Sequence, residues 1–372
     1  MTKNTFTIGR LFGIPIKVHV SWFLIFILVT WSLAASYFPP RYPGWSPALY
    51  WGVGLATSIA FFLSVLMHEL AHSLMAEWNG LPIHDIVLFI FGGVSQLTEE
   101  PEAPHTEFTM ALVGPLTSFA LAIFFGVVWF LTRGSNSPIA AFSTYLAYIN
   151  LSLGAFNLIP GFPLDGGRVL RSVLWAMSNN LERATRWATI AGQVIAYMFI
   201  FFGAWQILRG RLGDGLWIAF VGWFLDNAAQ TSYRQVAIRY LLADHRVREA
   251  MTQACYPVSP YITLETLVNN YIVSGQRCFP VMRDDRLVGI VSLSRIRNVP
   301  RETWPQVTIS AVMVPLEEMP QVRPDDGLWA ALEKMTTQQV DQLPVVKEGE
   351  LVGMLLHENI LSFIRQRGVM RE

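Results

Sequence analysis

The residues most able to do chemistry stand in a short motif, His68-Glu69-Leu70-Ala71-His72. On a helix, residues four positions apart share a face, so His68 and His72 can present imidazole nitrogens to one metal ion. Glu69 lies about 100° around the helix from His68, because each turn contains about 3.6 residues. Its carboxylate can take a proton from a metal-activated water and pass it to a leaving amine. Since zinc suits imidazole ligands, the motif predicts zinc-dependent hydrolysis.

Two histidines require a third protein ligand, and a second motif supplies the candidate. Residues 157–168 read Asn-Leu-Ile-Pro-Gly-Phe-Pro-Leu-Asp-Gly-Gly-Arg, and Asp165 is the only acidic residue between Glu107 and Glu182. The prolines break any helix there, and the glycines allow unusual backbone angles. A carboxylate beside such a break would complete a two-histidine, one-carboxylate site with an open fourth position. The alternative is that Asp165 only caps a turn at the membrane edge.

Long uncharged runs predict membrane helices, since about 20 apolar residues cross a bilayer as a helix. Of the 372 residues, 52% are hydrophobic and only 15% are charged. No Asp, Glu, Lys or Arg occurs between positions 17 and 41, 41 and 69, 107 and 133, 133 and 165, or 186 and 209, and a shorter run lies between 214 and 226. These runs predict about six transmembrane helices. Histidine and glutamate are costly at membrane depth, which favours a metal role for the first motif.

The charge distribution predicts two domains. Residues 1–240 carry 24 charged side chains and residues 241–372 carry 30, so we expect a membrane domain at 1–236 and a soluble domain at 243–369. With six spans and the N-terminus inside, nine Lys and Arg flank the inner helix ends against four in outer loops, which favours both termini in the cytoplasm. A plasma membrane is the default expectation, with an internal photosynthetic membrane as the alternative. The net charge of zero does not indicate a nucleic-acid partner. Cys255 and Cys278 are too few for a disulfide framework.

Together the two motifs resemble those of the site-2 protease family of intramembrane zinc metalloproteases. His-Glu-Leu-Ala-His corresponds to the first family motif, and residues 157–168 fit the second, which pairs an Asn with a Pro-rich Leu-Asp-Gly turn. The resemblance implies an intramembrane endopeptidase with one Zn²⁺ per chain. It also implies that His68, His72 and Asp165 hold the zinc and that Glu69 is the general base.

Other segments fit the same family. By analogy, Asn157 would polarise the scissile carbonyl or steady its oxyanion, with packing between helices as the alternative. Residues 86–97 read as two short strands around a Gly-Gly turn, and in the family this re-entrant hairpin offers an edge to an extended substrate. A purely structural hairpin is the alternative. Gly114-Pro115 resembles the Gly-Pro signature of the family, and we interpret it as close helix packing rather than chemistry.

Residues 243–369 contain an internal repeat with a period of about 62–64 residues. Cys278-Phe-Pro-Val recurs as Gln342-Leu-Pro-Val, and Leu287-Val-Gly recurs as Leu351-Val-Gly. Each copy reads as a strand, a helix and two further strands. The repeat resembles paired cystathionine-β-synthase-type (CBS) domains, which are α/β modules that often bind adenosine nucleotides. Such pairs tend to associate with a second pair, so the resemblance implies a homodimer.

The nucleotide signal in this repeat is weak. Adenosine-binding members usually carry Gly-x-x-Ser/Thr-x-x-Asp, in which the Asp contacts the ribose. The corresponding segments here start at Gly289 and Gly353, and Arg295 and Asn359 replace the two Asp residues. Dimerisation or docking of a partner is therefore favoured over nucleotide sensing.

The sequence thus predicts an α-helical polytopic membrane protein with a small re-entrant β-hairpin and a C-terminal α/β tandem CBS module. The favoured function is cleavage of transmembrane segments within the lipid bilayer. The resemblance alone implies the substrates, which are single-span proteins such as membrane-tethered transcription regulators or anti-sigma factors. One alternative is a non-proteolytic zinc-binding membrane protein, which Glu69 disfavours because a structural zinc needs no base. The other is a nucleotide-sensing regulatory protein.

Overall fold

A computed structural model describes residues 5–90, 92–97, 101–253, 256–272, 279–284, 286–291, 293–315, 319–338, 340–348 and 350–369. The chain divides into two compact units, Met1–Arg234 and Gln235–Glu372. Cys255, Cys278 and the Ser292 hydroxyl of the first nucleotide-type motif lie outside the described residues.

The first unit combines long helices with a small sheet. Its strands are β1 (Thr5–Leu11), β2 (Ile14–His19), β3 (Ile83–Phe89) and β4 (Gly92–Leu97). Its helices are α1 (Val20–Ser32), α2 (Phe38–Arg41), α3 (Pro47–Trp78), α4 (Pro104–Thr132), α5 (Pro138–Asn157), α6 (Asp165–Ser178) and α7 (Leu181–Leu208). A π-helical turn, Leu33–Tyr37, joins α1 to α2. Helix α8 (Leu212–Ala243) contains the division between the two units.

Five helices of the described chain are long and apolar enough to cross a membrane. They are the continuous helix Val20–Arg41, which includes α1 and α2, together with α3, α4, α5 and α7. These helices coincide with the five longer uncharged runs of the sequence. The sixth run lies within α8, which is not among the five. Large apolar side chains such as Ile123 and Phe201 are exposed on the spans, as expected of surfaces that contact lipid tails.

Local signals set the starts of α3 and α5. Ser46 and Ser137 cap the two helices by accepting a backbone N–H from the first turn, and a proline follows each cap. The indole of Trp45, just before α3, donates to the carbonyl of Asn136, just before α5, over 3.1 Å. The two helices therefore begin side by side.

The sheet has the strand order β1-β2-β3-β4 and packs on α3. The outer pairs are antiparallel, whereas β2 and β3 run parallel with Ile16 opposite Ile86. These two isoleucines pack against Leu66 and Leu70 of α3. The hairpin predicted at residues 86–97 is present as β3–β4, with Gly92 and Gly93 starting the second strand rather than forming the turn. The β1–β2 hairpin was not predicted from the sequence.

The Pro-rich motif forms the predicted break, since α5 ends at Asn157 and α6 begins at Asp165. The intervening turn packs closely on α7, where the backbone N–H of Phe162 donates to the carbonyl of Ala188 over 3.2 Å. A Cβ at Gly192 of α7 would collide with the backbone carbonyl of Phe162. Glycine is therefore required at position 192 for this approach.

The second unit consists of two similar halves. Its strands are β5 (Phe279–Arg283), β6 (Arg286–Val291), β7 (Val314–Pro315), β8 (Gln342–Lys347) and β9 (Glu350–Leu356). Its helices are α9 (Val247–Ala250), α10 (Leu264–Leu267), α11 (Leu293–Arg297), α12 (Ile309–Val312), α13 (Leu328–Gln338) and α14 (His357–Val369). A π-helical turn, Val268–Ile272, follows α10, and a 3-10 turn, Arg301–Thr303, follows α11.

The halves are equivalent in register and exchange short segments. Val281 pairs with Gly289 in the first hairpin, and Val345 pairs with Gly353 in the second. Thr252, near the start of the first half, bonds to β9 of the second half. In turn, β7, near the start of the second half, pairs with β6 of the first. This exchange explains why the two repeats fold as one unit.

Candidate metal centre

The first motif lies on α3, the helix that packs under the sheet. His68 and His72 are buried, with 3% and 7% of their surfaces exposed. His68 stands ten residues before the helix ends at Trp78, which is about 15 Å at about 1.5 Å per residue. His72 stands six residues before the same end, so both imidazoles lie within the apolar helix rather than at its terminus.

Three side-chain atoms converge at this point. The Nε2 atoms of His68 and His72 are 3.2 Å apart, and Asp165 Oδ2 lies 3.1 Å from the first and 3.2 Å from the second. The structure thus brings together the three candidate ligands from α3 and from the start of α6, and among the described residues they form a group that could hold a metal ion.

The opposite ring nitrogens are held by α4. His72 Nδ1 donates to the carbonyl of Met110 over 2.6 Å, and Ser118 Oγ lies 2.9 Å from His68 Nδ1. A proton on Nδ1 leaves the Nε2 lone pair free for a metal, so these partners set the ring orientation and the tautomer. A Cβ at Gly114 would collide with both imidazoles. Gly114 therefore allows α4 to pack closely against α3, as interpreted from the sequence, and this packing brings α4 up to both imidazoles.

Asp165 is partly buried at the first residue of α6, with 16% of its side chain exposed. Its Oδ2 atom faces the Nε2 atoms of both imidazoles, and a carboxyl group must be ionised to bind a metal.

Glu69 is held by the sheet rather than by the ligand group. Ser95 Oγ on β4 donates to Glu69 Oε2 over 3.1 Å, and Ser73 Oγ donates to the backbone carbonyl of Glu69 over 3.0 Å. A Cβ at Gly93 would collide with the Glu69 side chain. The carboxylate therefore lies directly against β4.

Asn157, the remaining candidate, is half-buried at the last residue of α5. Its side chain has no hydrogen-bond partner in the part of the chain that the structure describes. Its role stays a prediction.

The converging atoms meet the requirements of zinc. Two imidazole nitrogens and a carboxylate oxygen are a common donor set for zinc. Ligands of a tetrahedral zinc at about 2.0–2.1 Å stand about 3.3 Å from one another, close to the separations of 3.1–3.2 Å here. Acceptor atoms this close repel one another unless a proton or a cation lies between them. The residues therefore fit the ion.

Sequence reasoning missed the groups that support the ligands. Ser95 and the carbonyl of Met110 carry no motif signal. Gly114 and Ser118 share a helix face because they are four residues apart, and this spacing within the Gly-Pro segment was an available clue.

Comparison with known proteins agrees with this geometry. The family model of peptidase family M50 matches residues 56–138 and 132–202, and the CBS domain model matches residues 247–302 and 309–366. Rip3 of Mycobacterium tuberculosis, named as a zinc metalloprotease, is 34% identical over 368 residues, which cover 97% of this chain and 93% of the relative. The chain therefore belongs to peptidase family M50, the site-2 protease family of metalloproteases, and carries tandem CBS domains.

Other relatives extend the comparison. Sll0528 of Synechocystis, also named as a zinc metalloprotease, is 32% identical over 98% of this chain and 96% of its own length. A solved site-2 protease from Methanocaldococcus jannaschii is 28% identical and covers 61% of this chain and 94% of that chain, with a TM-score of 0.42. The resemblance inferred from the two motifs is confirmed. The five apolar helices and the family together make the protein an integral membrane protein.

Proposed function

We propose that the protein is an intramembrane endopeptidase that uses one zinc ion, held by His68, His72 and Asp165. The convergence of their three ligand atoms within 3.2 Å carries this proposal. Bound zinc would supply a Lewis acid that lowers the pKa of a water molecule and polarises the scissile carbonyl.

Glu69 acts as the general base and then as the general acid. It takes a proton from the attacking water as the water oxygen bonds to the scissile carbonyl carbon, and it delivers that proton to the amine that leaves when the C–N bond breaks. The products are a carboxylic acid and an amine. Ser95 and Gly93 support this role because they hold the Glu69 side chain against the sheet.

Strand β4 receives the substrate as an extended segment. A helical substrate must unwind first, since its carbonyls are occupied by hydrogen bonds along the helix. β4 is the last strand in the order β1-β2-β3-β4, so its outer edge has no paired strand among the described residues. Edge N–H and C=O groups accept an added strand. An added segment would lie beside Glu69, since Ser95 of β4 contacts that carboxylate.

The substrates we propose are single-span membrane proteins, such as membrane-tethered transcription regulators or anti-sigma factors. We assign residues 1–236 to the protease domain and residues 243–369 to a regulatory module that acts by dimerisation or by docking a partner. We also propose that α8 crosses the membrane as a sixth span. Both termini then lie on the cytoplasmic side, where Lys and Arg are concentrated at the helix ends. The membrane we propose is the plasma membrane.

A cleavage assay tests the proposal. Wild-type, Glu69→Gln and Glu77→Gln proteins are purified with zinc, reconstituted into bilayers and incubated with single-span substrates. Glu77 is the matched control, because it is an exposed glutamate on the same helix. We expect wild type and Glu77→Gln to cleave and Glu69→Gln to lose at least about 100-fold in rate. Equal cleavage by Glu69→Gln and wild type would end the proposal.

A further inference from the structure

A buried ion pair links the two helices that supply and support the metal ligands. Glu107 of α4 is fully buried, and Arg171 of α6 is only 6% exposed. Both Nε and Nη2 of Arg171 donate to Glu107 Oε1, with Nε at 2.7 Å. Arg168 Nε lies 3.8 Å from the same oxygen. Glu107 Oε2 has no hydrogen-bond partner among the described residues.

The position of Glu107 connects the pair to the imidazoles. Glu107, Met110, Gly114 and Ser118 follow one face of α4, since their spacings are three and four residues. The last three hold the two imidazoles, as described above. Glu107 extends the same face by about one turn towards the N-terminus of the helix.

The position of Arg171 connects the pair to the carboxylate. Arg171 lies on α6, whose first residue is Asp165. Its guanidinium also stands 5.2 Å from the centre of the Phe162 ring, in the turn that leads to Asp165. Arg171 thus contacts both the helix that supports the imidazoles and the turn that precedes the third ligand.

Energetics argue that this pair is kept for geometry rather than for stability. Removing two charges from water costs several kcal/mol per ion, and apolar replacements of a buried ion pair are often neutral or stabilising. The unpartnered Oε2 adds to the cost. If these positions only filled space, apolar side chains would stabilise the fold at least as well as the ion pair.

We propose that Glu107 and Arg171 are positioning residues, which hold α6 so that the Asp165 carboxylate meets the two imidazoles. This inference rests on the proposed metal site. Among the described residues, no hydrogen bond joins Glu107 or Arg171 to the three ligand atoms, so the pair acts through Asp165. Its effect should appear in zinc affinity and should depend on Asp165.

The test measures zinc affinity of full-length protein by competition with a chelator. The variants compared with wild type are Glu107→Gln, Arg171→Lys and Asp165→Ala. A double variant combines Glu107→Gln with Asp165→Ala. Asp85→Asn is the matched control, because Asp85 is 1% exposed, pairs with Lys17 over 2.5 Å and also has an unpartnered buried oxygen. Thermal unfolding without zinc identifies the variants that fold. Arg171→Lys, which keeps the charge, serves if Glu107→Gln does not fold.

We expect Glu107→Gln to weaken zinc binding about 10-fold or more, and Arg171→Lys to weaken it by less. In the Asp165→Ala background the additional loss should be less than about twofold, because the pair then has no ligand to position. Asp85→Asn should stay within about twofold of wild type.

Three results would overturn the positioning role. The first is an unchanged zinc affinity in folded Glu107→Gln or, where that variant does not fold, in Arg171→Lys. The second is an equal loss of zinc affinity from Glu107→Gln in the wild-type and Asp165→Ala backgrounds. The third is an equal loss of zinc affinity in Asp85→Asn. Failure of the metal site itself is distinct, since Asp165→Ala would then bind zinc as tightly as wild type.

Discussion

Ser95 donates a hydrogen bond to Glu69, with Ser95 Oγ 3.1 Å from Glu69 Oε2. Ser95 belongs to β4, the last strand of the sheet, and Glu69 lies beside the two histidines of α3. The strand whose edge we propose for the substrate is therefore the strand that orients the proposed base. In the proposed mechanism, this hydrogen bond connects the substrate-binding strand to the group that transfers the proton.

Ser95→Ala should lower kcat about tenfold with little change in KM, because the Glu69 carboxylate loses a hydrogen bond worth about 1.5 kcal/mol or more. Ser95→Thr keeps the hydroxyl and should retain most of the activity. Steady-state cleavage of a single-span substrate measures both constants. An unchanged kcat in Ser95→Ala would show that this hydrogen bond does not orient the base.

Gly114→Ala should reduce the zinc content of the purified protein severely. A Cβ at this position would collide with both imidazoles and push them away from Asp165. Gly126→Ala on the same helix is the control, since its Cβ would meet nothing within 4 Å. Zinc content is measured by mass spectrometry of metals, and equal zinc in the two variants would contradict the described contact.

Ser118→Ala should weaken zinc binding about 10–100-fold, since it removes the partner of His68 Nδ1. Ser143→Ala is the matched control, because Ser143 is equally buried but bonds only to the backbone of its own helix. Chelator competition gives both affinities. The prediction fails if the two variants bind zinc equally well.

The ligand group was predictable because its signals are local. His68, Glu69 and His72 lie within about one helical turn. Asp165 stands at the break between α5 and α6, which the prolines and glycines of that segment predict. Two supporting partners, Met110 and Ser95, were not predictable because they reach the site only through tertiary packing, whereas the spacing of Gly114 and Ser118 was an available clue. The pairing of Glu107 with Arg171 joins residues 64 positions apart, and no spacing rule anticipates it.

In the fold, too, features with local sequence signals were predictable and features that depend on pairing between distant segments were not. Five apolar runs form helices long and apolar enough to cross a bilayer, and length and hydrophobicity can both be taken from the sequence. The β1–β2 hairpin was missed, because Thr5–Leu11 is stabilised by pairing with β2 rather than by a buried face of its own. The CBS repeat was readable because its two copies can be compared directly.

The exchange of segments between the CBS halves gives a prediction for the second unit. Gly289→Ala should loosen the pairing of β6 with β7, since the new Cβ would lie 2.6 Å from the carbonyl oxygen of Val314. We expect a local destabilisation of about 1–3 kcal/mol, measured as faster hydrogen exchange over residues 286–291. Gly327→Ala is the control, because its Cβ would meet nothing within 4 Å. Equal exchange in both variants would contradict the close approach.

X-ray absorption at the zinc edge is the most direct test of the metal site formed by His68, His72 and Asp165. We predict that wild-type protein with one zinc per chain shows two imidazoles and oxygen donors at about 2.0–2.2 Å. His68→Ala and His72→Ala should lose imidazole scattering together with most of the zinc. Wild-type zinc content and an unchanged spectrum in either histidine variant would contradict the account.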